Sequence, residues 1–386
     1  MKYDFTTVPN RKNTGSFKWN FSSQHPSAFP FSVADMEWKT APQIIEAMKQ
    51  FAENGFFCYT GAEDAYRSVV KSFLQRRHSW NIEKDWIFCT PGVVAAVNTA
   101  VRAFTKEGDG IIIQTPVYYP FANSINNNKR KLVKNPLIKD GSTYKMDFDG
   151  LRRLAADPQN KMLILCSPHN PVGRVWTKDE LTTLADICIE NDVFIVSDEI
   201  HFDITRTKHF CLPTLNAEYA KHCIVCTAVS KTFNIAGLGT SNIIIPDADI
   251  RKNFENQLTT DGYTCINCCS YPATVAAYTQ CDDWIDEMNA NVDANFAFLD
   301  AFLKENLPQI RLFDREGTYL AWLDMSALGL DDAALEDFMI NRCGIIPDPG
   351  YWFGDEGNGF TRLDIAVPQS VLQDALFRLE EEIKKL

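Results

Sequence analysis

Residues 227–245, TAVSKTFNIAGLGTSNIII, place Lys231 between an apolar segment and a glycine-containing segment that leads into a second apolar run. A lysine that follows an apolar strand usually extends its ammonium group into water. In partly apolar surroundings the pKa of the amine falls instead, and a free amine becomes available near neutral pH. The stretch therefore combines the end of one predicted strand, a potentially reactive amine and the start of another strand.

The same alternation of short apolar runs and helical patterns extends from about residue 85 to residue 245. This pattern is typical of βαβ units that form a mostly parallel sheet, so the predicted fold class is α/β. The predicted strands are DWIFCT (85–90), GIIIQT (110–115), KMLILCS (161–167), DVFIVSD (192–198), HCIVCTAVS (222–230) and NIIIP (242–246). The predicted helices between them include GVVAAVNTAVRAFTKEG (92–108) and TKDELTTLADICIEND (177–192). In the second of these, Thr177 and Glu180 have the spacing of a capping box.

The pattern changes after about residue 280 and predicts a second, smaller α+β domain. A long helical stretch (284–306) is followed by the isolated strands IRLF (310–313), TYLAWLDM (318–325) and TRLDIAV (361–367), and by a helix from about residue 369. The first 50 residues contain Pro9, Pro26, Pro30 and Pro42, which we expect to break any regular pattern. The predicted division is therefore an arm and part of the small domain (1–50), a large domain (51–280) and a small domain (281–386).

The composition indicates a globular protein with an excess of acidic residues. Of its 386 residues, 45% are hydrophobic and 23% are charged, and the formal net charge is −12. Because phosphate backbones select basic faces, this charge argues against a nucleic-acid partner. No apolar run approaches the roughly 18 residues needed to span a bilayer. The opening MKYDFTTVPNRKNTG lacks the pattern of a secretory signal, so we expect a cytoplasmic protein without a membrane partner.

Twelve cysteines are most simply explained as reduced, buried thiols of a cytoplasmic protein. The segment CINCC (Cys265, Cys268, Cys269) looks like half of a zinc knuckle. The sequence offers no second CxxC or HxxxH pair to complete a set of four ligands. We therefore predict packing rather than a metal site, and the role of this cluster stays open.

The residues just beyond the predicted strands carry the chemistry. Ligands of parallel sheets bind beyond the carboxyl ends of the strands. The segments CSPHNPVGR (166–174), VSDEIHFDI (196–204) and SKTFNIAGL (230–238) bring Asn170, Asp198, His201, Ser230 and Lys231 to such ends. Each residue alone has an ordinary explanation, such as a turn, a helix cap or a structural imidazole. Their combination in this order and spacing is far more specific.

With these residues the sequence resembles the fold-type I family of pyridoxal 5'-phosphate enzymes, the aspartate aminotransferase superfamily. Within that superfamily it is most similar to the MalY/PatB-type cystathionine β-lyases, also called cysteine-S-conjugate β-lyases. The resemblance covers nearly the whole chain and is strongest in VADMEW (33–38), SPHNPVGRVW (167–176), SDEIHFDI (197–204), SKTFNIAGLGTSNIII (230–245) and GFTRLDIAVP (359–368). It implies a mostly parallel seven-stranded sheet between helices, a smaller C-terminal domain and a homodimer with active sites at the subunit interface.

The resemblance also implies pyridoxal 5'-phosphate as the cofactor and gives each strand-end residue a role. Such an enzyme needs an amine that bonds to the cofactor aldehyde and then acts as a base at the substrate α-carbon, and Lys231 is implied for both. Asp198 is implied to pair with the ring nitrogen, and Asn170 to bond the 3'-oxygen. Tyr118, in QTPVYYPF (114–121), is implied to stack on the ring. His201 stands where many aminotransferases have a tyrosine.

The cofactor phosphate requires backbone donors at the start of a helix. The segment CTPGVVAAV (89–97) provides a glycine turn before a helical pattern, so Gly92, Val93 and Val94 are the candidates. Ser230 is implied to add a hydroxyl. Tyr59, in GFFCYT (55–60), matches a family tyrosine that reaches the phosphate of the neighbouring subunit.

Arg362, at the start of a strand in the small domain, matches the family arginine that binds the substrate α-carboxylate as a bidentate fork. We also expect Asp35, Trp38, Tyr118 and Tyr119 to shape the pocket for the leaving group. The implied reaction is α,β-elimination on cystathionine or another cysteine S-conjugate, which yields a thiol, pyruvate and ammonia. Two alternatives stay open: a class I/II aminotransferase, and a regulatory protein that binds the cofactor without catalysis.

Overall fold

A seven-stranded sheet forms the centre of the computed structural model, which describes residues 2–22 and 24–386. In spatial order its strands are Ile87–Thr90, Ser241–Ile244, Cys223–Thr227, Phe194–Asp198, Asn160–Cys166, Gly110–Ile113 and Lys131–Lys134. Ser241–Ile244 runs antiparallel to both of its neighbours, and all other pairs are parallel. The predicted α/β class and the mostly parallel sheet are thereby confirmed.

All six predicted strands form, and five of them are shorter than the predicted runs, whereas Asn160–Cys166 keeps the predicted length of seven residues. The strand Lys131–Lys134 was missed, because KLVK is short and both of its terminal lysines are exposed at the edge of the sheet. A separate hairpin, Ile138–Asp140 with Thr143–Lys145, was also missed. Edge strands and exposed hairpins contain too few buried positions to produce a clear apolar run.

Both faces of the central sheet are buried. Ile112, Leu163 and Ile195 pack into the core on one face, whereas Ile164 and Val196 pack into the core on the other. Burial on both faces explains the nearly continuous apolar runs of these strands. The helices of the whole described chain are Phe17–Ser22, Pro42–Asn54, Asp64–His78, Val93–Phe104, Pro120–Asn127, Phe148–Ala155, Lys178–Glu190, Val229–Thr232, Ala248–Thr260, Ser270–Gln280, Asp282–Asn306, Asp332–Asp337 and Gln369–Ile383.

The predicted helix over 177–192 forms as Lys178–Glu190 and has the expected N-terminal cap. The Thr177 hydroxyl accepts a hydrogen bond from the Glu180 amide at 3.2 Å, and the Glu180 carboxylate accepts from the Thr177 amide at 2.9 Å. This reciprocal capping box satisfies two backbone donors that a helix start otherwise leaves unpaired. Among the described residues, no helix is both long enough and apolar enough to cross a membrane.

The N-terminal segment contains more regular structure than predicted. Pro42 begins the helix Pro42–Asn54 instead of breaking it, because proline lacks an amide hydrogen that the first helical turn does not use. Further upstream, Phe29–Pro30 pairs in parallel with Ile345–Ile346. These contacts are those expected of an arm that returns to the C-terminal part of the chain. The division into an arm, a large domain and a small domain stays a prediction.

The C-terminal part contains a four-stranded antiparallel sheet. In spatial order its strands are Arg311–Leu312, Leu320–Asp324, Phe360–Asp364 and Asp348–Pro349. In this register Arg362 lies directly opposite Asp348 on the neighbouring strand. The long helix Asp282–Asn306 and the helix Gln369–Ile383 contact each other beside this sheet. This sheet therefore brings a guanidinium and a carboxylate together at the position where the candidate site lies.

Candidate active site

The carboxyl ends of three neighbouring parallel strands open into one cavity of about 320 Å³. Asp198 is the last residue of Phe194–Asp198, Asn170 follows Asn160–Cys166, and Lys231 lies in the short helix after Cys223–Thr227. Eleven predicted site residues line this cavity: Gly92, Val93, Val94, Tyr118, Tyr119, Asn170, Asp198, His201, Ser230, Lys231 and Arg362. A parallel sheet explains this convergence, because its strands end at the same edge.

The Lys231 amine lies deep in the site, although the side chain as a whole is only half-buried where it borders the cavity. Its Nζ donates a hydrogen bond to the carbonyl oxygen of Ala34 at 2.7 Å. Burial lowers the pKa of Lys231, and the Arg362 cation lowers it further, while Asp35 and Asp198 oppose the shift. The pKa of Lys231 is therefore lower than that of a solvated lysine, which increases the fraction of the neutral amine, the nucleophilic and basic form.

The Asp198 carboxyl group is buried, and burial raises its pKa to about 7. The Ile200 amide, which donates to Oδ1 at 3.1 Å, and the Lys231 cation both act in the opposite direction. Desolvation outweighs them, because a carboxylate loses most of its hydration in such a position. Asp198 is therefore able to exchange a proton near neutral pH in the described chain.

Arg362 is buried and is held by two polar side chains. Its Nη1 donates to Oδ1 of Asn170 at 2.8 Å, and its Nε donates to Oδ2 of Asp348 at 3.1 Å. Nη2 donates to the same Asp348 oxygen. The guanidinium carbon lies 4.8 Å from the centre of the Phe353 ring. A planar cation fixed in this way presents a defined edge to a carboxylate.

Three aromatic side chains surround the remainder of the cavity. His201 is buried, and its Nδ1 has no hydrogen-bond partner among the described residues. Burial lowers the pKa of His201 well below its usual value, and Lys231 and Arg362 add to this effect. Burial also raises the pKa of Tyr118, whose amide donates to the carbonyl of Asn170 at 3.1 Å. Tyr119 is more exposed and borders the opening.

A helix start faces the same cavity. Gly92 has φ 101° and immediately precedes the helix Val93–Phe104. A positive φ is strained for residues with a side chain, so glycine suits this turn. The first amides of the helix have no partner within the helix and are oriented to bind an anion. Ser230 contributes a hydroxyl to the same cavity.

Three predicted site residues do not line the cavity. Trp38 is only 3% exposed and packs edge-on against Phe5, with ring centres 5.0 Å apart, so its bulk serves the core. Asp35 forms an ion pair with Arg11 at 3.0 Å, although its charge acts on Lys231. Tyr59 is 97% exposed and lies outside the cavity of its own chain. The prediction that Tyr59 reaches a neighbouring subunit stays a prediction.

Several cavity residues were not predicted. Asp348 carries a charge and contacts Arg362 directly, and Phe17 lines the opening although it is 83% exposed. The other unpredicted residues that line the cavity are Val33, Ala34, Pro91, Cys166, Ile200, Ala236, Gly239 and Thr240. Asp348 lies between two prolines in PDPGYWFG (347–354), which resembles an ordinary turn. Only the register of the small sheet shows that this residue faces Arg362.

One other cluster has potential metal ligands. Among the described residues, Glu199, His209 and Cys211 form the only group of three whose ligand atoms lie within 4.8 Å of one another. The Glu199 oxygens already accept hydrogen bonds from His209 at 2.8 Å, Ser197 at 2.9 Å and the Leu212 amide at 3.2 Å. The cluster is thus a hydrogen-bonded network in this structure. The Cys265, Cys268 and Cys269 thiols are unpaired and belong to no such group of described residues.

The buried amine, the adjacent carboxyl group and the glycine-preceded helix at the end of a mostly parallel sheet define a recognisable class of protein. The profile of aminotransferase class I and II matches residues 28–379. The chain belongs to this family.

Individual relatives match over the full length. The chain is 37% identical to the cystathionine β-lyase PatB of Bacillus subtilis, over 98% of this chain and 99% of that protein. It is 44% identical to cystalysin of Treponema denticola, whose crystal structure contains pyridoxal 5'-phosphate, with a TM-score of 0.96 and complete coverage of both chains. A C–S lyase of Staphylococcus hominis with bound pyridoxal 5'-phosphate is 31% identical, with a TM-score of 0.93, over 99% of this chain and 98% of that chain. These relatives bear out the predicted family, cofactor and carbon–sulfur lyase class.

The Asp198 environment predicts how stability depends on pH. The pKa of Asp198 is raised from 3.8 to about 7 in the folded state. This carboxyl group therefore contributes stability below pH 4 that is lost as the pH rises to about 7. In Asp198→Asn this contribution is absent. The free energy of unfolding of the cofactor-free variant should exceed that of the cofactor-free wild type increasingly between pH 5 and pH 8, by about a few kcal/mol at most.

Urea unfolding of both cofactor-free proteins at pH 5, 6, 7 and 8 measures this difference. Asp149→Asn, at an exposed position, controls for the loss of a carboxylate as such. A difference between Asp198→Asn and wild type that stays constant over this pH range would contradict the assignment.

Proposed function

We propose that this protein is a pyridoxal 5'-phosphate-dependent carbon–sulfur β-lyase. Its proposed substrates are L-cystathionine and related cysteine S-conjugates, which it would split into a thiol, pyruvate and ammonia. The observation that carries this proposal is that Lys231, Asp198 and Arg362 line a single cavity. A base, a proton-holding carboxyl group and a carboxylate-binding guanidinium are what elimination on an amino acid requires.

The donors present in the cavity fit the cofactor. A buried amine with a lowered pKa at Lys231 suits an aldehyde, and the amides at the start of the helix Val93–Phe104 suit a phosphate. Asp198, with its raised pKa, suits a ring nitrogen that shares a proton. The buried Nδ1 of His201, which has no hydrogen-bond partner within the described part of the chain, offers a further polar contact. The chemistry of these residues therefore suits the aldehyde, the phosphate and the ring nitrogen of pyridoxal 5'-phosphate.

When bound, pyridoxal 5'-phosphate supplies an aldehyde that captures an amine and a ring that accepts the electron pair left at the α-carbon. Gly92, Val93, Val94 and Ser230 would hold its phosphate, and Asn170, Asp198, His201 and Tyr118 would hold its ring. Asp198 would keep the proton at the ring nitrogen. These assignments are part of the proposal.

The residues of the chain perform the proton transfer and the positioning. Lys231 Nζ would take the α-proton of the substrate, which is why a lowered pKa matters at this position. Arg362 would bind the α-carboxylate and thereby fix the direction of the α-hydrogen relative to Lys231. Tyr119, at the opening, would contact the leaving group. Because Arg362 is buried, the dielectric constant around it is low, and its interaction with the substrate carboxylate is stronger than in water. Burial likewise strengthens the effect of nearby charges on Lys231.

We further propose a cytoplasmic homodimer. Phe56, Phe57 and Tyr59 form an exposed aromatic segment of one chain, and exposed aromatic side chains in sequence are typical of a surface that a partner covers. Phe17, at the cavity opening, is exposed as well. Twelve unpaired cysteines support a reducing compartment, since exposed thiols such as Cys58 and Cys265 oxidise readily elsewhere.

Product formation without a second substrate tests the reaction type. We expect the purified enzyme with pyridoxal 5'-phosphate to convert L-cystathionine to pyruvate and free thiol over many turnovers in the absence of any keto acid. Pyruvate is measured with lactate dehydrogenase, and the thiol with a disulfide reagent. A strict requirement for a keto acid would instead indicate an aminotransferase, and absence of turnover with bound cofactor would indicate a regulatory protein.

Removal of the amine tests the assignment of Lys231. Lys231→Ala should lose elimination activity by at least about 1,000-fold and should release the cofactor on dialysis, because both its base and its covalent attachment are missing. Lys221→Ala changes an exposed lysine in the preceding turn and should retain wild-type activity and absorbance. Retained turnover in Lys231→Ala would refute the proposed role.

Mixed dimers test whether Tyr59 acts in the neighbouring subunit. A dimer of one Lys231→Ala and one Tyr59→Ala subunit retains a single site in which Lys231 and the partner's Tyr59 are both intact. After subunit exchange at equal concentrations, two individually impaired variants should therefore recover about a quarter of wild-type activity. If Tyr59 acts within its own chain, mixing should give no more than the mean of the two variants.

A further inference from the structure

The Asp348 carboxylate connects two walls of the cavity. Its Oδ2 accepts hydrogen bonds from Nε and Nη2 of Arg362, and it also accepts from the Val33 amide at 3.0 Å. Asp348 and Arg362 are both buried, and both line the cavity. One oxygen atom thus contacts the arginine and the backbone of the N-terminal segment.

Val33, which contacts Asp348, is followed directly by Ala34, which contacts Lys231. The carbonyl of Ala34 accepts hydrogen bonds from Lys231 Nζ at 2.7 Å and from the Tyr319 hydroxyl at 3.0 Å. Val33 has φ 58°, in the left-handed region that β-branched residues rarely occupy. Such a conformation persists only where surrounding contacts hold it, and the bond from its amide to Asp348 is one of them.

The two side chains that hold Arg362 use only some of the N–H donors of its guanidinium group. Asp348 and Asn170 together accept from Nε, Nη1 and Nη2, so each terminal nitrogen keeps one further N–H group. An isolated guanidinium rotates about its flexible side chain, and ordering it at the moment of binding costs side-chain entropy. The neighbouring carboxylate removes most of this freedom before the substrate arrives.

We propose that Asp348 is a positioning residue that orients Arg362 for the α-carboxylate of the substrate, with the Val33 amide holding the Asp348 carboxylate in place. This inference rests on the proposed function of the site. In this role Asp348 acts through Arg362 and takes no part in the reaction itself. Its loss should therefore weaken the binding of amino acids far more than the binding of simple amines.

Spectral titration of the holoenzyme separates these two effects. L-Alanine, which has no leaving group, and ethylamine, which lacks a carboxylate, are each added while the absorbance of the bound cofactor is followed. We expect Asp348→Ala to weaken the apparent affinity for L-alanine by about tenfold or more, because charge-assisted contacts are lost or misdirected. The affinity for ethylamine should change by less than about twofold. Asp355→Ala removes an exposed carboxylate from the same segment, one that pairs with Lys134, and should leave both affinities unchanged.

A double-mutant cycle tests whether Asp348 acts through Arg362. In an Arg362→Ala background, Asp348→Ala should cause little further loss of L-alanine affinity, since the residue that it orients is already absent. Additive losses would overturn the proposal. Equal weakening of L-alanine and ethylamine would also overturn it, because that result indicates a general structural defect.

Asp348→Ala removes the carboxylate that pairs with the buried Arg362 cation, and an unpaired buried charge can prevent folding. Asp348→Asn keeps an oxygen acceptor at nearly the same position and serves as the second variant. It should retain the L-alanine affinity better than Asp348→Ala, and its thermal melting should lie closer to that of wild type. The positioning role is refuted if Asp348→Ala and Asp348→Asn both bind L-alanine and ethylamine with wild-type affinity. These titrations require no elimination, so a failure of the proposed lyase activity is detected separately by the pyruvate measurement.

Discussion

Burial of the Lys231 amine at the edge of the parallel sheet is the constraint on which the site depends. A solvated ammonium group would be protonated near neutral pH and would be a poor base. The structure lowers the pKa of this amine by burying Nζ, which donates to the Ala34 carbonyl, near the Arg362 cation. Burial and the cation disfavour the charged form, and the nearby carboxylates oppose them. The fold therefore prepares the amine before any ligand arrives.

This enclosure requires segments that are distant in the sequence. Lys231 lies in the short helix that follows a strand of the central sheet, Ala34 belongs to the N-terminal segment, and Arg362 belongs to the small sheet. A buried group of charges joins the last two segments, because Lys18 contacts Asp364 at 3.1 Å, Glu37 at 3.2 Å and the carbonyl of Asp35 at 2.7 Å. Breaking such a buried pair is costly, because it leaves an uncompensated charge. The N-terminal segment is thus held as part of the site by interactions outside the cavity.

The sequence was most informative where strands end. Lys231, Asp198 and Asn170 follow long, apolar, buried runs, and the geometry of a parallel sheet is sufficient to bring such positions together. The helix Pro42–Asn54 was missed because its proline was interpreted as a break. The strand Lys131–Lys134 was missed because it has little burial. Trp38 was predicted to line the pocket, but in the structure it packs against Phe5. This contact depends on tertiary structure, which the sequence pattern does not reveal.

The electrostatics of the cavity explain how a strongly acidic protein can bind an anionic substrate group. The formal net charge is −12, but the Arg362 guanidinium lines the cavity beside the Lys231 amine. At close range and low dielectric constant this cation outweighs distant surface charges, which water and salt screen. Asp348 could not be recognised from sequence, because its relation to Arg362 depends on the register of two strands. The Asp348 carboxylate thus neutralises the Arg362 guanidinium and, in its proposed role, also fixes the orientation of that group.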